Sequence, residues 1–171
     1  RMTNTISIIT PFFNEEEGVN DYFEHLCPFL QDLKEDYEII CIDDGSRDGT
    51  FTLLRQWHEN NPRIKVVKLS RNFGKEAALT AGLDFATGDA VIPMDADLQH
   101  PPDLIPEMLA RWREGFDVVL MQRKTRDEPP LKRLCSLLFY RVMRLLTNGQ
   151  IPFDVGDFRL MDRKVVEATR E

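Results

Sequence analysis

Two aspartates, Asp95 and Asp97, stand at the end of a short apolar run. The preceding residues 90–94, AVIPM, have the length and composition of a buried strand. Side chains alternate along a strand, so the two carboxylates point to the same side. Convergent carboxylates suit Mg²⁺ or Mn²⁺ that also binds diphosphate oxygens, and Gln99 offers a further oxygen ligand. The stretch therefore predicts a metal-dependent enzyme with a nucleotide-activated substrate; a solvated polar turn is the simpler alternative.

A second acidic pair, Asp43 and Asp44, follows another apolar run and opens the sequence DDGSRDGT. Carboxylates at that position can accept hydrogen bonds from a nucleotide base or a ribose hydroxyl. Apart from Arg47, every residue type in the run is also a turn former, so a capping and turn role explains it equally well. Both interpretations stay open at the level of the sequence.

The first apolar run ends in a third polar cluster that contains Pro11, Phe13, Asn14 and Glu15. Asn14 is predicted to cap a helix that the three glutamates begin. Phe13 either lies against a base or packs as a hydrophobic staple at that helix start. Further along, the sequence RNFGK opens another helix, and Lys75 is predicted to meet a diphosphate at its N-terminus.

Basic residues cluster after the fifth apolar run, in an otherwise acidic chain. The cluster consists of Arg123, Lys124, Arg126, Lys132 and Arg133. Arginine binds phosphate in bidentate fashion, so the cluster suits an acceptor that carries a phosphate. A solvated charged surface is the alternative. The predicted helix 131–147 is basic and amphipathic, which fits either a membrane surface or packing on its own sheet.

These polar clusters require a framework that brings them together. Strands are predicted at residues 6–10, 37–42, 64–69, 90–94, 117–121 and 158–161. Helices are predicted at 15–33, after 50 to about 60, at 76–86, 102–114 and 131–147, and from 163 onward. Such alternation predicts an α/β fold with a mostly parallel sheet flanked by helices. Ligands bind at the carboxyl ends of such strands, where each cluster falls.

Length and composition bound the remaining possibilities. The chain has 171 residues, which fits one domain spanning 1–171. A net charge of −7 disfavours sequence-independent binding to nucleic acid. Three scattered cysteines outside any CxxC pattern suggest reduced thiols in the cytosol. No signal peptide or apolar run of membrane-spanning length is visible in the sequence.

Five motifs in this order resemble the family 2 glycosyltransferases, which have the Rossmann-like GT-A fold. They are PFFNEEE, DDGSRDGT, RNFGKE, DADLQ and VGDFRLM. The chain is most similar to the bacterial polyprenyl-phosphate glycosyltransferases, including those that glucosylate bactoprenol. Dolichol-phosphate mannosyltransferases are more distant.

The resemblance implies a role for each matching position. Base and ribose would be held by Pro11, Phe13, Glu15, Ile42 and Asp44. Ribose, metal and diphosphate would be held by Asp95, Ala96, Asp97 and Gln99. Arg123 and Arg133, with Arg126 beside them, would contact the diphosphate or the acceptor phosphate. Asp157 falls at the family's catalytic carboxylate, as base or orienting group, and Asp97 acts on the leaving group.

The implied reaction transfers a hexose, with UDP-glucose favoured as donor, to a polyprenyl phosphate for cell-envelope glycans. Mg²⁺ or Mn²⁺ is the implied cofactor. Members of this subgroup continue into transmembrane helices, so the chain is expected to be a soluble fragment of a longer protein. That protein is expected at the cytoplasmic face of the inner membrane, with homo-oligomers left open.

Three other functions compete with this one. A phosphatase of the haloacid dehalogenase class also has two aspartates after a strand, but Leu98 and Gln99 replace its usual Gly-Thr or Gly-Val. A nucleotidyltransferase would show a Gly-rich loop after Ile9, which is absent. A nucleotide-sugar-binding module without turnover is the third possibility, and the intact Asp95, Asp97 and Asp157 argue against it.

Overall fold

The structure is a computed structural model and describes residues 4–121 and 158–168. Within these residues, six strands form one sheet. The strands are β1 (Thr5–Phe12), β2 (Asp36–Asp43), β3 (Ile64–Lys68), β4 (Ala90–Pro93), β5 (Val118–Met121) and β6 (Phe158–Asp162). The helices are α1 (Val19–Gln31), α2 (Thr50–Asn60), α3 (Lys75–Phe85), α4 (Ile105–Arg113) and α5 (Arg163–Ala168), with a 3-10 turn at Pro102–Leu104.

The strands lie in the order β3-β2-β1-β4-β6-β5. The first four strands of the chain are parallel: Ile8 of β1 is in register with Ile39 of β2 and with Ile92 of β4. β6 runs antiparallel to β4, with Met161 opposite Val91. The predicted α/β fold with a mostly parallel sheet is confirmed. The loops after β1, β2 and β4 therefore meet at one edge of the sheet.

Each face of the sheet carries its own apolar layer, because side chains alternate along a strand. On one face, Tyr22 of α1 packs edge-on against Phe12 of β1 with ring centroids 5.3 Å apart. The buried Tyr22 hydroxyl is satisfied by a hydrogen bond with the Thr10 hydroxyl. On the other face, Ile9 packs in a cluster with Ala78 of α3. The strands are thus fixed from both sides, and their carboxyl ends with them.

The start of α1 differs from the prediction. The helix begins at Val19 rather than at Glu15, and Asn14 does not cap it. Asn14 adopts a φ of 52°, donates its amide N–H to Ser46 Oγ at 3.0 Å, and accepts from the Arg47 N–H at 2.9 Å. Asn14 therefore ties the loop after β1 to the loop after β2.

The acidic residues of these two loops complete the connection. The Glu16 N–H donates to Asp48 Oδ2 at 3.2 Å, and Glu16 Oε2 accepts from the Gly49 N–H at 2.9 Å. Asp48 Oδ1 also accepts from the Thr50 hydroxyl at 2.6 Å. Residues that look like helix starters and turn formers thus hold the carboxyl ends of β1 and β2 together.

A buried carboxylate, Glu38 of β2, joins three strands elsewhere in the sheet. It accepts from the Ser7 hydroxyl of β1 at 2.5 Å and pairs with Lys65 of β3, also at 2.5 Å. The Thr87 N–H donates to it at 2.7 Å. Burial alone raises the pKa of Glu38, but the hydrogen bonds from Lys65, Ser7 and Thr87 outweigh it, and the net pKa is lowered.

Replacing Glu38 by Gln is expected to lower the free energy of unfolding by about 2 kcal/mol at pH 7. Because the folded-state pKa is depressed, this contribution is present above the ordinary glutamate pKa of about 4.3. It is lost as the pH falls through the folded-state pKa. Urea unfolding of both proteins from pH 7 to pH 3 should therefore show the two curves converging in acid.

The exposed Glu59, paired with Arg55 on α2, provides the control. Glu59→Gln removes the same charge and should change stability by less than about 0.5 kcal/mol. A Glu38→Gln deficit that stays constant across the pH range would show that the charge of Glu38 contributes nothing.

The cysteines described, Cys27 and Cys41, are buried free thiols. Cys135 lies outside the described residues. None of the helices described has the length and hydropathy to cross a bilayer.

Candidate active site

The loops after β1, β2 and β4 and the start of α3 line an open cleft of about 340 Å³. Its lining residues are Pro11, Phe12, Phe13, Glu15, Asp44, Asn72, Gly74, Lys75, Asp95, Ala96 and Asp97. The sequence predicts all of these as site residues except Phe12, Asn72 and Gly74. Four predicted clusters that are far apart in sequence therefore share one cleft.

The first carboxylate of the central pair is already engaged in an ion pair. Lys75 Nζ, from the first residue of α3, lies 2.6 Å from Asp95 Oδ1. The Lys75 side chain is 43% exposed and that of Asp95 is 24% exposed, so both remain accessible from the cleft. An ammonium group that is accessible from the cleft can also bind phosphate oxygens.

The second carboxylate shapes its own loop. Asp97 Oδ1 accepts a hydrogen bond from the Gln99 N–H at 3.1 Å, closing a turn in which Leu98 has a φ of 55°. Asp97 lines the cleft, whereas Gln99 is not among its lining residues. The predicted contact of Gln99 with a metal stays a prediction.

The chemistry of the donor set fits a divalent cation that shares its ligands with a substrate. In the part of the chain that is described, no cluster of three or more His, Cys, Asp or Glu side chains forms a complete metal site. Asp95 and Asp97 provide two carboxylates on an open cleft. Mg²⁺ is commonly bound through one or two carboxylates, with substrate phosphates and water completing the shell. The residues present therefore fit such an ion.

Asp44 anchors the loop that precedes α3. Its Oδ1 accepts from the Phe73 N–H at 2.8 Å, and its Oδ2 accepts from the Gly74 N–H at 2.9 Å. Asp44 is buried at 3% exposure but lines the cleft. The structure therefore supports a positioning role for Asp44, while contact with a base or ribose stays a prediction.

Asp43 has the turn-forming role that was the alternative for this pair. Its Oδ1 accepts from the Ser46 N–H at 3.2 Å. Its Oδ2 is buried and lacks a hydrogen-bond partner among the residues described. Asp43 is fully buried and is not among the residues that line the cleft.

The predicted base-binding residues divide into two groups. Pro11, Phe13 and Glu15 line the cleft, and the Phe13 ring is 43% exposed. A staple at the start of α1 is wrong for Phe13, because the helix begins six positions later at Val19. Ile42, in contrast, is fully buried in the apolar cluster under α3, so its side chain does not reach the cleft.

The remaining predicted residues lie outside the part of the chain that the structure describes. They are Arg123, Arg126, Arg133 and Asp157, together with the predicted helix 131–147. Their roles stay predictions. Of the cleft residues that the site prediction omits, Asn72 and Gly74 belong to the RNFGK motif, so the signal was present in the sequence.

The family model for glycosyl transferase family 2 matches residues 7–170, nearly the whole chain. The chain belongs to glycosyl transferase family 2. The resemblance drawn from the five motifs is confirmed. Nothing in the comparisons supports the haloacid dehalogenase alternative.

Several relatives of this family 2 glycosyltransferase match over most of its length. It is 50% identical over 171 residues to an uncharacterized glycosyltransferase of Synechocystis, covering 99% of this chain and 54% of that protein. It is 42% identical to a prophage bactoprenol glucosyl transferase homolog of Escherichia coli, covering 95% of this chain and 53% of the relative. The bactoprenol glucosyl transferase of Shigella phage SfV is 43% identical with the same coverage. The chain thus spans about half the length of these curated relatives.

Solved structures share the fold at lower identity. A mannosyltransferase from Pyrobaculum calidifontis, solved with GDP-Man and Mn²⁺, superposes with a TM-score of 0.68 at 23% identity, covering 98% of this chain and 47% of that one. Glucosyl-3-phosphoglycerate synthase from Mycobacterium tuberculosis, solved with UDP, gives a TM-score of 0.66 at 22% identity, covering 95% and 58%. The expected GT-A fold of this family 2 glycosyltransferase is confirmed.

Proposed function

We propose that this domain transfers a hexose, with UDP-glucose as the favoured donor, to a polyprenyl phosphate for cell-envelope glycan synthesis or modification. The observation that carries the proposal is the cleft in which Asp95, Asp97, Lys75 and Phe13 meet. It offers oxygen ligands, a cation and an aromatic ring to the parts of a nucleotide sugar. Relatives named bactoprenol glucosyl transferase, 42% and 43% identical to this chain, support the choice of acceptor.

The donor would lie along the cleft with its base at the β1 end. The exposed ring of Phe13 offers a stacking surface to the base. The diphosphate would lie near Lys75 and the N-terminus of α3, where main-chain N–H groups favour anions. The proposed arrangement thus pairs the base with an aromatic ring and the diphosphate with a cation.

Asp95 and Asp97, with Gln99 beside them, would hold Mg²⁺ or Mn²⁺. When bound, such an ion stabilises the negative charge that develops on the departing nucleoside diphosphate. Lys75 would share this task, because its ammonium group already lies 2.6 Å from Asp95. These residues act on the leaving group and not on the attacking group.

The acceptor phosphate supplies its own nucleophile. A phosphate monoester has a second pKa near 6 and is mostly a dianion at pH 7. One of its oxygens forms the new bond to the anomeric carbon as the bond to the nucleoside diphosphate breaks, inverting that centre. Arg123, Arg126 and Arg133 are proposed to bind this phosphate. Asp157 is proposed either as base or as the group that orients the sugar or a basic residue.

The proposal extends to the longer protein that the relatives represent. We place its activity at the cytoplasmic face of the inner membrane, with the helix predicted from the sequence at 131–147 and further segments as membrane contacts. The proposal allows that protein to form homo-oligomers, and it includes no nucleic-acid partner.

Thermal unfolding with nucleotide sugars tests the donor site directly. The ligands are UDP-glucose, UDP-N-acetylglucosamine, UDP-galactose and GDP-mannose, each with and without Mn²⁺. Stabilisation by a UDP-sugar that requires Mn²⁺ is the expected result, since ligands that bind only the folded state raise the melting temperature. A chain that responds to none of them would contradict the proposal.

Replacing Lys75 by Gln should separate metal binding from donor binding. Without Lys75, the Asp95 carboxylate loses its competing cation, so Mn²⁺ alone should bind about fivefold more tightly. UDP in the presence of Mn²⁺ should bind about tenfold more weakly, because its diphosphate loses a charge-assisted partner. Mn²⁺ binding by electron paramagnetic resonance and UDP binding by calorimetry measure the two effects.

Lys34, exposed in the loop between α1 and β2, offers a control with the same charge change. Lys34→Gln should leave both affinities at their wild-type values. If Lys75→Gln shifts the two affinities in the same direction, Lys75 does not both compete with the metal for Asp95 and bind the diphosphate.

A further inference from the structure

His100 is a buried histidine next to the Asp95–Asp97 loop, and it has no role in the proposed function. It is 7% exposed, which is low for a residue on a polar loop. Its ring stacks on Phe158, the first residue of β6, with centroids 5.0 Å apart and planes within 6°. His100 thus connects the loop after β4 to the strand that directly follows Asp157 in the chain.

A hydrogen bond fixes the chemical role of the ring. The Asp95 main-chain N–H donates to His100 Nδ1 at 3.3 Å. Nδ1 is therefore an acceptor, and the proton of the neutral imidazole belongs on Nε2. The same aspartate carries the carboxylate that pairs with Lys75. His100 consequently holds the backbone of Asp95 while Lys75 holds its side chain.

We propose that His100 is a positioning residue that holds the Asp95–Asp97 loop in the conformation that binds the metal and the diphosphate. The inference rests on the proposed function. Two separable properties of the ring produce the effect. The flat face packs on Phe158 and fixes where the ring lies, and Nδ1 accepts from Asp95 and fixes the loop against the ring. Supporting groups that orient metal ligands commonly affect metal affinity 10- to 100-fold.

A pair of substitutions separates the two properties. His100→Phe keeps an aromatic ring on Phe158 but removes the acceptor. His100→Asn removes the ring but retains an amide oxygen near the position of Nδ1. If His100 only packs on Phe158, Phe should preserve its role better than Asn. If His100 positions Asp95 by accepting its hydrogen bond, Asn should preserve its role better than Phe.

Amide hydrogen exchange in the ligand-free protein, followed by NMR, is the first measurement. The Asp95 amide is expected to exchange about tenfold faster in His100→Phe and to stay within about threefold of wild type in His100→Asn. UDP affinity with Mn²⁺ is the second measurement, and it should fall about tenfold in His100→Phe and recover in His100→Asn. Urea unfolding of each variant reports whether the fold is kept.

A folded His100→Phe protein with wild-type exchange at Asp95 would overturn the proposal. So would a His100→Asn protein that exchanges as fast as His100→Phe. If His100→Phe does not fold, His100→Asn compared with His100→Ala decides the question, because only Asn retains the acceptor. Wild-type protein that binds no UDP with Mn²⁺ would refute the proposed function, and the exchange measurement would still judge His100.

Discussion

Replacing Asp97 by Asn is expected to weaken UDP binding in the presence of Mn²⁺ by about 100-fold, equivalent to about 2.8 kcal/mol. The amide removes a negative charge from a site whose proposed cation relies on two carboxylates. The fold should be unaffected, because the Asn side-chain oxygen can still accept the hydrogen bond from the Gln99 N–H. Calorimetric titration with UDP, with and without Mn²⁺, measures the loss.

Asp103 provides the matched control for this substitution. It is exposed in the short 3-10 turn that follows the same loop. Asp103→Asn removes the same charge and should leave the Mn²⁺-dependent affinity within about twofold of wild type. Equal losses in both variants would show that the net charge of the region, and not ligation by Asp97, determines binding.

Replacing Gly45 by Ala is expected to lower the free energy of unfolding by about 3 kcal/mol. Gly45 has a φ of 71°, a conformation that side-chain-bearing residues rarely adopt. A Cβ atom there would lie 2.4 Å from the main-chain carbon of Arg71 and 2.6 Å from the nitrogen of Asn72. Backbone atoms would have to move, and the segment that moves leads into Gly74 and Lys75 at the cleft.

Gly115, just beyond α4, separates the clash from the backbone strain. It also has a positive φ, of 100°, but no atom of the described residues lies within 4 Å of a Cβ built there. Gly115→Ala should cost about 1 kcal/mol and leave nucleotide binding unchanged. Urea unfolding and UDP titration of both variants measure the difference. If both substitutions destabilise the protein equally, a Cβ at position 45 does not clash with the main chain of Arg71 and Asn72.

Much of the fold could be predicted from local patterns. Short apolar runs alternating with helical stretches gave an α/β fold with a mostly parallel sheet, since such runs fit strands buried on both faces. The same reasoning put the polar clusters at the carboxyl edge, because parallel strands share that edge. The antiparallel direction of β6 could not be read from its residues, since it depends on how the chain returns to the sheet.

The helix cap predicted at Asn14 is wrong, and for Asp44 and Ile42 the tertiary structure shows contacts that local patterns do not reveal. Asn14 has the chemistry of a helix cap, but Ser46 and Arg47 lie within reach only in the folded chain. Asp44 has the chemistry of a base-binding residue, yet both its oxygens accept from the main chain of the loop before α3. Ile42 lies beside Asp43 in sequence, but strand alternation and helix packing direct its side chain into the core.

The Asp95–Asp97 pair could be singled out from the sequence alone, because two carboxylates at the end of an apolar run are a local pattern that suggests binding of a divalent cation. The family could be named from five motifs for a similar reason: each motif is local. The partners of those carboxylates were decided by tertiary structure. Lys75 reaches Asp95 because α3 starts at the same edge as β4 ends, and His100 faces Phe158 because β6 pairs with β4. Such contacts depend on strand order, which no local pattern encodes.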